Sequence, residues 1–237
     1  MRDVVVVIPA YNEAATLPAL VEETRAALAL AEIVIVDDAS TDATRAVLPG
    51  LGVRWLTFPT RVGTGTAVRA GLRYARERGF SIAVRIDGDG QHPPAETPKL
   101  LEPIRRGTAD AAQGSRYAGN AGYRAGGARR IGQRLLGRAL LDVIGRRITD
   151  PTSGFWAFGP RATALLAHEH PSGYPEAELL LLLHAHALRV VEVGIQMRPL
   201  VAGRTSLRGA RLGVALTRAL ITTALAPLRT SPGVGRS

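Results

Sequence analysis

Cysteine is absent from all 237 residues, which excludes disulfides and thiolate chemistry and leaves the redox compartment unread. Aromatic residues make up only 5% of the chain, and no ordered aromatic and basic platform of the kind that stacks RNA bases is visible, so nucleic acid is not an expected partner. Acidic residues are outnumbered, 20 against 30 Lys and Arg, giving a net charge of +10 that an anionic surface or ligand would answer. Long uninterrupted apolar runs are missing as well. Pro9 breaks the first one before a signal-peptide core could form. The apolar stretch Leu207 to Leu228 carries Arg208, Arg211 and Arg218, and a central Arg makes spanning a bilayer costly. That stretch reads as an interfacial amphipathic helix or one covering the core, and a cytoplasmic location, at the cytoplasmic face of a membrane if lipid is involved, is the expectation. What remains is a globular composition, 46% hydrophobic and 21% charged, at a length that suits one α/β domain.

Apolar strand candidates at 4–8, 33–36, 53–58 and 81–86 alternate with helical stretches at 14–29, 42–48 and 65–78. That alternation predicts a mostly parallel sheet flanked by helices. Residues 109–116 look like a further strand running into a loop, after which the pattern changes. No repeat or linker divides the chain. The reading is one main domain over 1–206, an amphipathic helical extension of it over 207–228, and a disordered Gly/Pro/Ser-rich tail over 229–237.

Chemistry concentrates where strands end. Asp87 and Asp89 follow an apolar strand one residue apart, and residues i and i+2 of an extended segment point to the same side. Paired carboxylates suit a hard cation, Mg²⁺ or Mn²⁺, whose remaining positions go to water and substrate phosphate, and the implied substrate is a diphosphate. The alternative is an acidic turn closed by Gly88 and Gly90. A second cluster, Asp37 and Asp38, ends an earlier all-apolar strand, and open parallel sheets bind ligands at such carboxyl ends. Ser40 and Asp42 read as helix caps. Arg61-Val62-Gly63-Thr64-Gly65 reads first as backbone geometry at a loop-helix junction and second as a phosphate loop. Arg130, Arg134 and Arg138 form an i, i+4, i+8 stripe if 128–145 is helical, fitted either to an anionic membrane surface or to solvent with the apolar side on the core. Glu176 and Glu178 stand in a first helical turn, where acidic residues are at home, or touch sugar hydroxyls. His92, His184 and His186 lack a second metal-ligand partner at useful spacing and read as structural.

The order of motifs carries more than any one of them: Ile8-Pro9-Ala10-Tyr11-Asn12-Glu13, Val36-Asp37-Asp38-Ala39-Ser40-Thr41-Asp42, Asp87-Gly88-Asp89-Gly90-Gln91-His92-Pro93-Pro94, Gly114-Ser115-Arg116 and Asp150-Pro151-Thr152-Ser153-Gly154-Phe155. In this order the chain resembles family 2 glycosyltransferases, especially the dolichyl-phosphate or polyprenyl-phosphate mannosyltransferase branch. The resemblance spans roughly residues 4–206. It implies the A-type glycosyltransferase fold, a Rossmann-like sheet with amphipathic C-terminal helices. It implies inverting transfer of mannose or glucose from a nucleotide-diphosphate sugar, such as GDP-mannose or UDP-glucose, to polyprenyl phosphate, by an enzyme resting peripherally on an anionic membrane. It assigns the metal to Asp87, Asp89 and Gln91 and the donor pocket to Pro9, Tyr11, Glu13, Val36, Asp38 and Gly88. Arg116, Arg198 and Arg204 fall where phosphate-binding basic residues stand, and Asp150 orients the sugar or acts as general base toward a hydroxyl acceptor. Arg61 stands where relatives usually carry Asn, and Trp156 where they often carry Arg, which leaves the donor loop and acceptor handling open. Two other readings stand beside this one: transfer to a hydroxyl of a saccharide or small metabolite, and a non-catalytic basic module for membrane or nucleic acid.

Overall fold

Val4–Ala10 (β1) has no polar face, and every one of its seven residues is buried, as an all-apolar strand must be when sheet neighbours flank it and helices cover both faces. The computed structural model describes residues 3–118, 136–138, 140–145, 147–171 and 175–198. Around β1 stand β2 (Glu32–Asp37), β3 (Arg54–Thr57), β4 (Ile82–Arg85), β5 (Ala111–Ser115), β6 (Trp156–Phe158) and β7 (Val190–Gly194). They form one seven-stranded sheet in the order β3-β2-β1-β4-β6-β5-β7. β1 to β4 run parallel to one another, β5 and β7 are parallel, and β6 is antiparallel to both β4 and β5. The expected mostly parallel sheet is present, with an antiparallel strand inserted beside β4.

The helices are α1 (Leu17–Ala27), α2 (Thr44–Val47), α3 (Thr64–Glu77), α4 (Thr97–Arg105), α5 (Pro160–Glu169) and α6 (Pro175–Ala185). Strand alternation sorts them onto two layers. Val5, Val7, Val34 and Val36 point to the layer holding Val68 and Leu72 of α3, Leu166 of α5 and Leu179 and Leu183 of α6. Val6, Ile8, Ile33 and Ile35 point the other way, to Leu20 and Val21 of α1 and Leu100 and Leu101 of α4. Gly71 lets α3 lie close on the sheet, because a Cβ there would overlap the Val7 side chain. The helix expected over 14–29 is shorter, starting at Leu17 with Pro18 in the first turn, where a missing N–H costs nothing. The one over 42–48 closes after four residues into a 3-10 turn, Leu48–Leu51, that contains Pro49.

β1 lies between β2 and β4, so the chain crosses over in opposite directions on its two sides. A crevice opens there at the carboxyl ends of the strands. Among the described residues no helix is long and apolar enough to cross a membrane. Of the basic stripe, Arg138 is described and exposed, while Leu136 and Leu140 are buried in the core, so the apolar side of this segment packs inward. Arg130 and Arg134, Arg204, the 207–228 extension and the 229–237 tail lie outside the described residues.

Candidate active site

Three loops meet at the crevice. The β1 loop bends at Asn12, a non-glycine residue at φ 60° whose Oδ1 accepts the backbone N–H groups of Thr41 (2.8 Å) and Asp42 (3.3 Å) in the β2 loop. The Glu13 N–H donates to Thr44 Oγ1 at 2.8 Å, and Ser40 Oγ accepts the Asn12 N–H at 2.9 Å, so Ser40 ties two loops together instead of capping a helix. Asp42 does cap locally, accepting the Thr44 N–H at 2.9 Å. The β4 loop joins them through Thr16 Oγ1, which donates to the Gly88 carbonyl at 2.7 Å, and through the Gly88 N–H, which reaches the Pro9 carbonyl at 3.3 Å.

β4 ends at Arg85, one residue before the expected boundary, so Asp87 and Asp89 are brought together by the turn at Gly88 and Gly90 and not by continued strand. The charges they bring repel. Burial, and then the Asp87 charge, push the Asp89 carboxyl up to about 6. Burial pushes Glu13 up to about 7, with Asp89, Asp42 and Asp87 adding to it. Such a corner is short of a cation. Among the described residues no group of three or more His, Cys, Asp or Glu side chains forms a closed metal cage. The corner fits instead the open, one- or two-carboxylate shell that Mg²⁺ or Mn²⁺ takes when phosphate completes it. Asp89 Oδ1 accepts the Gln91 N–H at 3.0 Å, and no described residue donates to Oδ2.

The other carboxylates are committed. Asp37 accepts the Ser40 N–H at 3.0 Å and pairs with Arg45 at 2.8 Å. Asp38 accepts the backbone N–H groups of Val62 (2.6 Å) and Gly63 (2.9 Å), which uses this loop for backbone geometry. Arg61 lies 3.9 Å over the Tyr11 ring and 4.0 Å from Asp38, so it sits directly on two residues expected in the donor pocket. Val36 is buried in β2 opposite Pro9.

The far wall is the turn from Asp150 to Phe155. Asp150 is fully buried, and its two oxygens take Arg116 Nε and Nη2 at 2.6 Å each, with the Arg116 backbone N–H at 3.0 Å. Asp150, expected to orient the sugar or to act as general base toward a hydroxyl acceptor, has both oxygens bound by Arg116 and serves as the bidentate anchor that aims that side chain. Glu192 of β7 fixes the same turn, accepting the Thr149 N–H at 2.8 Å and the Asp150 N–H at 2.9 Å. Trp156 is buried in β6 with its indole N–H on the Ser153 carbonyl at 2.9 Å, so it is core and does not handle an acceptor. Glu176 pairs with Arg85 at 3.2 Å. The Arg198 N–H donates to the Gln91 carbonyl at 3.0 Å, which brings its backbone to the acidic corner, while its guanidinium pairs with Glu23 at 2.6 Å.

Sequence reasoning passed over two residues. His92 is buried, stacks on Phe155 at 5.1 Å and accepts the Asp87 N–H on Nδ1 at 3.1 Å, and burial pushes its pKa down to about 4, so it is a neutral acceptor behind the motif. Arg85, two residues before Asp87 and so on its side of the chain, donates from Nε to Asp87 Oδ1 at 2.9 Å. The two-residue spacing was the available signal.

A crossover sheet with carboxylates at its switch point is the arrangement in which open α/β sheets bind ligands. The chain belongs to glycosyl transferase family 2, whose pattern matches residues 5–163, and it is a glycosyltransferase. It is 32% identical over 232 residues to an undecaprenyl-phosphate mannosyltransferase of Micrococcus luteus, covering 90% of both chains. It is 35% identical over 222 residues to a dolichol-phosphate mannosyltransferase of Pyrococcus furiosus, covering 86% of this chain and 59% of that relative's length. Its fold is similar to that of glucosyl-3-phosphoglycerate synthase from Mycobacterium tuberculosis, crystallised with Mn²⁺, UDP and phosphoglyceric acid. That match has a TM-score of 0.72 at 26% identity and covers 99% of this chain and 81% of the other.

Proposed function

We propose that the chain transfers a hexose, mannose or glucose, from a nucleotide-diphosphate sugar to polyprenyl phosphate, with Mg²⁺ or Mn²⁺ on the donor's diphosphate. The carrying observation is the cation-short corner of Glu13, Asp87 and Asp89 at the sheet's switch point. The relatives named for polyprenyl-phosphate mannosyl transfer support the acceptor, and the neighbour crystallised with Mn²⁺ and UDP supports the donor and the metal.

In this reading Asp89, with Asp87 and Gln91, would hold the metal, which when bound neutralises charge growing on the departing diphosphate. Pro9, Tyr11, Glu13, Val36, Asp38 and Gly88 line the donor pocket. Arg116, held by Asp150, meets the acceptor phosphate together with Arg198 and Arg204. A phosphate oxygen is already anionic at neutral pH, so no base is required. It bonds to the anomeric carbon as the bond from that carbon to the diphosphate breaks, and the electron pair leaves on the nucleoside diphosphate. A single displacement of this kind inverts the anomeric configuration. The enzyme works peripherally, on an anionic cytoplasmic membrane face.

A second reading, transfer to a hydroxyl of a small metabolite, is favoured by the neighbour's phosphoglyceric acid complex. One assay separates the two. Labelled GDP- and UDP-sugars are presented with Mn²⁺, polyprenyl phosphate and 3-phosphoglycerate, with Asp89→Ala as control. Organic-extractable label that vanishes in the variant establishes lipid transfer and names the donor, whereas label confined to the aqueous metabolite overturns it in favour of the hydroxyl.

A further inference from the structure

We propose that Arg85 is a positioning residue for this site: its guanidinium locks Asp87 in one orientation and ties it to Glu176 of α6, so that the acidic corner is set before metal and donor arrive. The inference rests on the reading of Asp87 and Asp89 as the metal-holding pair.

Arg85 occupies a position where stability alone would not place a cation. It sits on β4 with Val7 of β1 on one side and Trp156 of β6 on the other, and its side chain is 3% exposed. Fully buried Arg is rare unless paired, and apolar replacement of a buried ion pair is often neutral or stabilising. The pairing here is incomplete, since Nη1 is buried with no hydrogen-bond partner among the described residues. An unmet buried donor destabilises the fold. What the guanidinium does achieve is geometric. Nε donates to Asp87 Oδ1 at 2.9 Å and Nη2 to Glu176 Oε1 at 3.2 Å, so one planar fork spans two carboxylates, one two residues away and one 91 residues away in sequence.

Two further contacts bound Asp87, whose side chain stays 29% exposed toward the crevice loops. Its backbone N–H is held by His92 Nδ1. Its Oδ2 lies against Gly154, where an added Cβ would come within 2.5 Å of that oxygen and 2.9 Å of Arg85 Nη2. Only glycine lets the wall turn descend onto the Arg85 and Asp87 pair. Asp89, by contrast, accepts a single hydrogen bond from the described residues, on Oδ1. The two acidic residues thus divide the work: Asp87 is held by Arg85, His92 and Gly154, and Asp89 keeps an oxygen to which no described residue donates. Because Arg85 is enclosed, it acts through Asp87 and does not touch substrate. Lysine in its place would keep the charge but lose the fork.

The test is a titration of Mn²⁺ into the full chain, with GDP and with UDP present in parallel, followed by the paramagnetic resonance of free Mn²⁺, on wild type and Arg85→Lys, with circular dichroism to establish folding. Residues that orient metal ligands from behind are worth about 10–100-fold in metal affinity, and that weakening is expected for Arg85→Lys, with the KM for polyprenyl phosphate unchanged. If Arg85→Lys does not fold, the double variant Arg85→Met/Glu176→Gln removes the fork and one of its carboxylates together, and the same weakening is expected. Folded Arg85 variants that bind Mn²⁺ as wild type does would overturn the inference while leaving the metal reading intact. A wild-type protein that takes up no Mn²⁺ would overturn both.

Discussion

At the residue scale the site is a problem of like charges. Glu13, Asp87 and Asp89 are brought together where the β1 and β4 loops meet, and among the described residues Asp87 alone of the three has an ion-pair partner, Arg85. Removing Asp89 takes away the least committed oxygen of the corner. Asp89→Ala is expected to lower transfer by about 10²–10³-fold, the scale for losing one well-placed charge-stabilising group, with the melting temperature unchanged or raised because repulsion is relieved. Steady-state kinetics and a thermal melt check both halves. Gly154→Ala brings a methyl to within 2.5 Å of Asp87 Oδ2 and should cost about 1–3 kcal/mol of stability in denaturant unfolding, together with weakened Mn²⁺ uptake. His170 gives one part of the pH dependence, and His92, depressed to about 4, acts in the same direction. His170 is buried, and its pKa is pushed down from 6.5 to about 3 by burial and by the nearby Arg85 charge. The unfolded chain binds the proton at pH values where the folded one does not, so stability is full above about pH 6.5 and declines as pH falls toward 3. His170→Gln should flatten that decline in urea midpoints measured from pH 7 to 4. The same profile in both proteins would remove this explanation.

At the scale of elements, the strand ends were readable because charge interrupts apolar runs. Val34-Ile35-Val36 stops at Asp37 and Asp38, and Ile82 to Ile86 stops at Asp87, so strand and site announce themselves together. β6 was not readable. Three residues, Trp156–Phe158, are too few for alternation to show, and nothing local says that they insert between β4 and β5 in the opposite direction. The pairing of Asp150 was not readable for a related reason: its partner Arg116 lies 34 residues earlier, just past the strand beside β6, and only the sheet order makes them neighbours. Glu176 likewise meets Arg85 across 91 residues. The close seat of α3 depends on Gly71. Gly71→Ala would push the helix off Val7 and is expected to destabilise the fold by about 1–3 kcal/mol, visible as a lower denaturant midpoint with little change in the KM for donor.

At the scale of the whole molecule, the two helix layers close both faces of the sheet and leave its carboxyl edge as the place where three strand-end loops and the Asp150 wall come together. The net charge of +10 belongs to the same scale. If that excess helps hold the enzyme to anionic lipid, flotation with phosphatidylglycerol vesicles should fall steeply between low salt and 1 M salt, where the screening length is only about 3 Å. Salt-independent flotation would point to apolar insertion instead. The central claim concerns the acidic corner, and calorimetric titration of GDP and UDP, with and without Mn²⁺, into wild type and Asp89→Ala tests it most directly. The account predicts that one of the nucleotides binds only with the metal and that Asp89→Ala loses this binding. Equal, metal-independent binding in both proteins would contradict it.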